Sequence, residues 1–238
     1  MTTPEDLAAA IEARLRPLAD PERAAPMRAY LLGQFDFLGI ATPVRRAAIK
    51  DLVAQALPDA ATVLATADLL WRRPERELRY AAIDLLRRQQ RHLDPSHLPA
   101  IQALLLREPW WETVDGLVAV IGAILRTARK TDDGAQAVMD DWVAHPVFWV
   151  RRAALLHQLG WRLETDAARL GAYCGQLAGE REFFIRKAIG WALRDYARWD
   201  PDFVRAFVAD HAGRLSALTV REACRRLPAG TAPMSGPC

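Results

Sequence analysis

The chain has 238 residues, of which 51% are hydrophobic and 26% charged, enough apolar material for a sizeable core at an ordinary globular charge density. Its net charge is only +3, with a pI near 9.0, and no apolar run approaches the length of a membrane-spanning helix, so no membrane partner is expected. Only Lys50, Lys130 and Lys187 of the 32 basic residues are lysine. Arginine offers a planar fork of donors that fits phosphate, so the bias is compatible with a nucleic-acid partner; an arginine-rich codon bias accounts for the composition at least as well.

The first segment, Met1 to Leu18, is amphipathic and carries acidic residues, which fits neither a secretory signal nor a transit peptide. From there apolar residues fall at helical spacing, and strand signals are almost absent. In Glu75 to Leu93, for example, Leu78, Ala81, Ala82, Leu85, Leu86 and Leu93 are separated by arginines and glutamines. Breakers punctuate the chain at Asp20-Pro21, Thr42-Pro43, Pro58-Asp59, Arg73-Pro74, Asp94-Pro95, Glu108-Pro109, His145-Pro146, Gly179 and Asp200-Pro201. Several of these prolines suit the first turn of a helix, where a missing N–H costs nothing. The spacing predicts about a dozen short helices joined by tight turns. The stretch from Pro228 to Cys238 is rich in Pro, Gly, Ser, Ala and Thr and reads as a disordered tail. Cys174, Cys224 and Cys238 lie far apart, so no disulfide framework is expected and an intracellular compartment fits. His92, His97, His145, His157 and His211 show no ligand spacing, so no metal site is expected.

Five segments align with one another: Arg45-Arg46-Ala47-Ala48, Arg79-Tyr80-Ala81-Ala82, Arg151-Arg152-Ala153-Ala154, Arg186-Lys187-Ala188-Ile189 and Arg221-Glu222-Ala223-Cys224. Their first arginines are 34, 72, 35 and 35 residues apart, and Asp115-Gly116-Leu117-Val118 fills the double step midway. A period near 35 residues made of two helices predicts an all-α fold, an α-solenoid of HEAT-like helical-hairpin repeats. A lone hairpin cannot bury its own apolar face, so residues 1–227 are expected to form one continuous curved domain. The aligned column lies on the same face of each unit. Its arginines are therefore expected along one surface, the concave one, as a basic groove. Such a row suits a phosphate backbone. Inter-repeat salt bridges to Asp and Glu are its other use, and spacing does not choose between the two.

Asp115 is the one acid in that column. Either an adjacent arginine pairs with it, or it is kept for a task. Trp111 stands four residues earlier on the same helix face, and the small residues Ala119 and Gly122 follow, which predicts a shallow, open surface above the carboxylate. Trp110 lines up instead with Val114, Leu117 and Ile121 and reads as core. Trp191, beside Gly190 and Ala192, shares a face with Lys187. Indole faces attract cations, and a carboxylate stabilises a developing positive charge or deprotonates a water. A purine alkylated on a ring nitrogen, held in DNA, answers to all three features. Its leaving group is already cationic, so cleavage through an oxocarbenium-like sugar needs no general acid.

The chain resembles the AlkD family of HEAT-like-repeat DNA alkylation repair glycosylases. The resemblance is carried by Phe35-Asp36-Phe37-Leu38-Gly39-Ile40-Ala41-Thr42-Pro43-Val44-Arg45-Arg46, by Trp71 with Pro74-Glu75-Arg76-Glu77, by Trp110-Trp111-Glu112-Thr113-Val114-Asp115, by Trp149-Val150-Arg151-Arg152-Ala153-Ala154, and by Glu182-Phe183-Phe184-Ile185-Arg186-Lys187-Ala188-Ile189-Gly190-Trp191. It runs from about residue 20 to 226 in one register. It implies removal of cationic N3- and N7-alkylated purines from double-stranded DNA in base excision repair, without flipping the base into a pocket. It places the catalytic Asp on Asp115, two active-site tryptophans on Trp111 and Trp191, a DNA-gripping arginine on Arg152 and a groove-lining tyrosine on Tyr30. Ala41 departs from the pattern, because a related member has a polar, DNA-touching residue there.

The expectation is a monofunctional alkylpurine DNA glycosylase that needs no cofactor. It is expected to act as a monomer in the cytoplasm, associated with the nucleoid, and not to be secreted. Arg45, Arg46, Arg151 and Lys187 are expected to help Arg152 on the phosphates. With three lysines and only Lys187 near the site, a Schiff-base lyase step is not expected. The alternative is a catalytically silent relative that binds damaged or branched DNA. A protein-interaction scaffold is disfavoured by the arginine column.

Overall fold

The computed structural model describes residues 2–227, and the tail expected from Pro228 lies outside the described residues. The described chain is all-helical, with thirteen α-helices and no strand; an isolated parallel bridge joins Asp36 to Glu75. Contacts divide it between Glu108 and Pro109 into two compact units.

The first unit holds α1 (Pro4–Leu15), α2 (Pro21–Tyr30), α3 (Thr42–Ala54), α4 (Ala60–Trp71), α5 (Arg76–Arg88) and α6 (Leu98–Leu106). The prolines of Asp20-Pro21 and Thr42-Pro43 sit in first turns as expected, and the side chains of Thr3, Asp20 and Asp59 cap their helices. Helix α1 packs on α3 and α4, and α5 packs on the same two. Leu7, Ile11, Ile49, Val63, Leu70, Leu78, Leu85 and Leu86 fill the space between them.

The segment between α2 and α3 is pinned to the start of α5. Buried Glu77 accepts the backbone N–H groups of Leu38, Gly39 and Ile40 at 2.8–3.0 Å. The Arg76 guanidinium lies 3.8 Å from the Phe35 ring centroid. Gly39 has φ +87°, and a Cβ there would stand 2.0 Å from the Asp20 carbonyl oxygen, so only glycine fits.

The second unit holds α7 (Trp111–Ala128), α8 (Val138–Trp142), α9 (Phe148–Leu156), α10 (Ala167–Gln176), α11 (Phe183–Tyr196), α12 (Pro201–Asp210) and α13 (Ala217–Cys224). Helix α9 packs on α7 and α11, and α11 packs on α13. Small residues set these approaches. A Cβ on Gly122 of α7 would meet the His157 carbonyl oxygen at 2.2 Å, and one on Gly190 of α11 would meet Glu222 Cβ at 2.6 Å. Cys174 is buried as a free thiol.

The aligned column of the sequence is a structural one. Arg45, Arg79, Asp115, Arg151, Arg186 and Arg221 are each the fourth or fifth residue of α3, α5, α7, α9, α11 and α13 in turn. Within each unit the helices that carry the column pack on one another, α3 on α5 in the first and α7, α9, α11 and α13 in turn in the second. No helix among the described residues is long and apolar enough to cross a membrane.

Candidate active site

Asp115 projects from the second turn of α7. Its carboxylate is clamped by Arg152 of α9: Nε donates to Oδ1 and Nη2 to Oδ2, both at 2.8 Å. The remaining arm of Arg152, Nη1, donates to the Phe184 carbonyl at the start of α11, at 2.7 Å. One guanidinium thus ties α7, α9 and α11 together. The Asp115 side chain is 18% exposed and that of Arg152 is 5% exposed. Burial raises the Asp115 carboxyl above its ordinary value, while the Arg152 hydrogen bonds and charge pull it back down. Each carboxylate oxygen keeps a further lone pair for a water or a substrate atom.

Aromatic residues flank this pair in sequence, and several of their rings pack on one another. Trp110, at the N-cap of α7, packs 6.0 Å from Trp149 and edge-on to Phe184 at 5.4 Å. Trp149 lies 4.8 Å from Phe184 and 4.6 Å from Phe148. Phe183 is exposed, stands edge-on to Phe184, and has the Lys187 ammonium 5.9 Å above its ring. Trp111, half-buried, is one helical turn before Asp115. Trp191, also half-buried, is two turns beyond Phe184 on the same side of α11. The expected quartet therefore occupies three helices that Arg152 bonds together. Two expectations need correcting. Trp110 is half-buried among rings rather than sealed in the core, and Gly122 is not an open surface but a tight contact with the end of α9.

Arg45, Arg79 and Arg151 of the column make the inter-repeat bonds that the sequence left as one of two uses. Buried Arg45 donates to Asp84 at 3.1 Å and stacks over Tyr80. Buried Arg79 pairs with Glu108. Arg151 pairs with Glu180 at 2.9 Å and donates to the His145 and Pro146 carbonyls. Arg186 donates to the Glu180 carbonyl. The Arg45 and Arg152 guanidinium groups bond to neighbouring helices, and that of Arg151 bonds to the loops before α9 and α11. Arg46, though bonded to Asp84, is exposed, as is Lys187. Tyr30 is 72% exposed at the end of α2.

Sequence reasoning offered an adjacent arginine as one possible partner of Asp115 but did not single out Arg152 for it, and it missed the bond to Phe184. The spacing held a signal for the Arg152 clamp. Asp115 and Arg152 are 37 residues apart, as are Arg14 and Asp51, whose side chains also bond at 3.1 Å. No group of His, Cys, Asp and Glu among the described residues is placed to hold a metal ion.

Residues 11–227 match the model of the DNA alkylation repair enzyme family. A predicted DNA alkylation repair enzyme from Enterococcus faecalis is similar in structure, with a TM-score of 0.82 and 29% identity over 89% of this chain and 98% of that one. The alkylpurine DNA glycosylase AlkC of Pseudomonas fluorescens, solved on DNA containing an abasic site analog, gives a TM-score of 0.48 at 16% identity, over 93% of this chain and 61% of its own. None of the curated proteins matches this chain.

Proposed function

This chain belongs to the DNA alkylation repair enzyme family, and we propose that it is a monofunctional DNA glycosylase that hydrolyses the N-glycosidic bond of cationic N3- and N7-alkylated purines in duplex DNA. The observation that carries this reading is the Asp115 carboxylate, 18% exposed and held bidentate by Arg152, whose remaining arm bonds Phe184 of the ring cluster. In the reaction, the C1′–N bond breaks and its electron pair neutralises the charged base. Water adds to C1′ and gives up a proton, with Asp115 as acceptor. The carboxylate also opposes the positive charge that develops on the sugar. A neutral base leaves, so no general acid, metal or organic cofactor is required by the chemistry.

In this reading Arg152 positions the carboxylate rather than gripping DNA. Trp111 and Trp191 wall the lesion nucleotide, and their faces favour its cationic ring by about 0.5–2 kcal/mol each. The carboxylate addresses the sugar, so the base does not have to rotate into a pocket. Arg46, Lys187 and Tyr30 contact the backbone of a DNA partner bound by a monomer.

The test is incubation with methylated duplex DNA and chromatography of the released bases. Asp115→Asn should lower single-turnover excision by about 10²-fold or more while leaving duplex binding intact. Full activity of Asp115→Asn would overturn the mechanism. So would release of uracil or 8-oxoguanine as fast as 7-methylguanine. A borohydride-trapped covalent complex would overturn the monofunctional assignment.

A further inference from the structure

In the first unit, α3 and α5 lie side by side, and between them runs an open cleft of about 370 Å³. Ile49 and Val53, both buried, form its apolar floor. Arg46 and Lys50 line it from successive turns of α3, and Arg87 and Arg88 from the last turn of α5. Asp84 is the one acid in the lining, and it is already bonded to Arg45 and Arg46 at 3.1 Å each. Lys50, Arg87 and Arg88 are exposed, and no ion pair or side-chain hydrogen bond joins them to other described residues.

The helix macrodipole explains why cations suit the last turn of α5. It does not explain why Lys50, from the middle of α3, borders the same cleft. Cations gathered in one cleft repel one another, and the repulsion is relieved when an anion sits among them. Two guanidinium forks and one ammonium match the several oxygens of a phosphate better than a single carboxylate. The open side admits a continuous backbone rather than an enclosed small molecule.

We propose that this cleft is a phosphodiester site that seats backbone phosphates of duplex DNA on Lys50, Arg87 and Arg88. The inference rests on the reading that the protein acts on DNA. None of the three residues belongs to the arginine column, and none contributes to the bonds that hold Asp115.

The experiment compares the full-length protein with the variant Lys50→Gln/Arg87→Gln/Arg88→Gln. Fluorescence anisotropy gives binding to undamaged duplex from 50 to 200 mM KCl. Each phosphate that the variant no longer neutralises should reduce the slope of log affinity against log salt by about 0.9. The variant should therefore bind more weakly, with a slope flatter by one to three such steps. All three side chains are exposed, so the melting temperature should not move; the single change Lys50→Glu should flatten the slope as well. Unchanged slope and affinity in a protein that still binds and excises would overturn the cleft proposal alone. Failure of the unaltered protein to bind duplex at all would overturn the glycosylase reading too. If inorganic phosphate alone shifts the NMR signals of Lys50, Arg87 and Arg88 while the DNA slope stays the same, the cleft holds a free anion, and the backbone assignment falls.

Discussion

At Asp115 two tendencies oppose each other. Burial favours the neutral acid and raises its pKa, whereas the Arg152 bonds favour the carboxylate and lower it. The reaction needs the carboxylate, so excision should rise with pH through a limb lying above the ordinary Asp value of 3.8. Arg152→Gln removes the lowering cause. Its acid limb should move further toward neutral pH, read from a pH–rate profile on methylated DNA. The same change leaves a largely buried carboxylate without its cation and should destabilise the fold by about 3 kcal/mol at pH 7, less in acid, where Asp115 takes up a proton. A limb that stays put would mean that Arg152 does not tune Asp115. The identity of Asp115 as the odd member of a cationic column was legible in the sequence. The inward turn of Arg152 was not, because burial is imposed by the neighbouring helices, which a single segment does not display.

Two elements hold the rest in place through close backbone contacts. Glu77 gathers three N–H groups of the α2–α3 connection on one carboxylate. Glu77→Gln turns one acceptor into a donor that faces other donors, and should lower unfolding free energy by about 3 kcal/mol in urea titrations. The motif residues around Phe35 and Glu77 that carried the family resemblance thus serve this clamp, a purpose that pattern matching does not reveal. In the second unit, Gly122→Ala would drive a methyl group into the His157 carbonyl and separate α7 from α9. Asp115 and Arg152 stand on those two helices, so excision should fall along with the melting temperature. A variant that melts lower but excises normally would show that the clamp tolerates the shift. The sequence identified Gly122 as small but put it on an open face, because helical phase gives direction around the axis and not which neighbour lies there.

Across the molecule, one source of sensitivity to acid is His157. Its ring is fully enclosed; Nδ1 donates to the Ala154 carbonyl at 2.7 Å and Nε2 accepts from Gln136 at 2.8 Å. Desolvation pushes its pKa down from 6.5 to about 4; Arg169 adds to the fall, and the Ala154 bond, Asp140 and Asp166 oppose it. The unfolded chain therefore binds the proton first. Stability that is fully present above pH 6.5 should be lost as pH falls toward 4, by about 3 kcal/mol for this one group. Denaturant titrations at pH 7 and 4.5 should show the loss, and His157→Gln should flatten it. At this scale the helical class, the period and the phase of every second helix were legible, since they depend on local apolar spacing. The division at Glu108 and the cleft between α3 and α5 were not, since both arise from how helices pair.

The bonds between side chains one repeat apart also bear on how the chain reaches this structure. Arg14 with Asp51, Arg45 with Asp84, Arg152 with Asp115 and Gln89 with the Val53 carbonyl all join residues 36–39 positions apart. Such partners meet after closing only a short loop, and each closure presents a surface for the next hairpin.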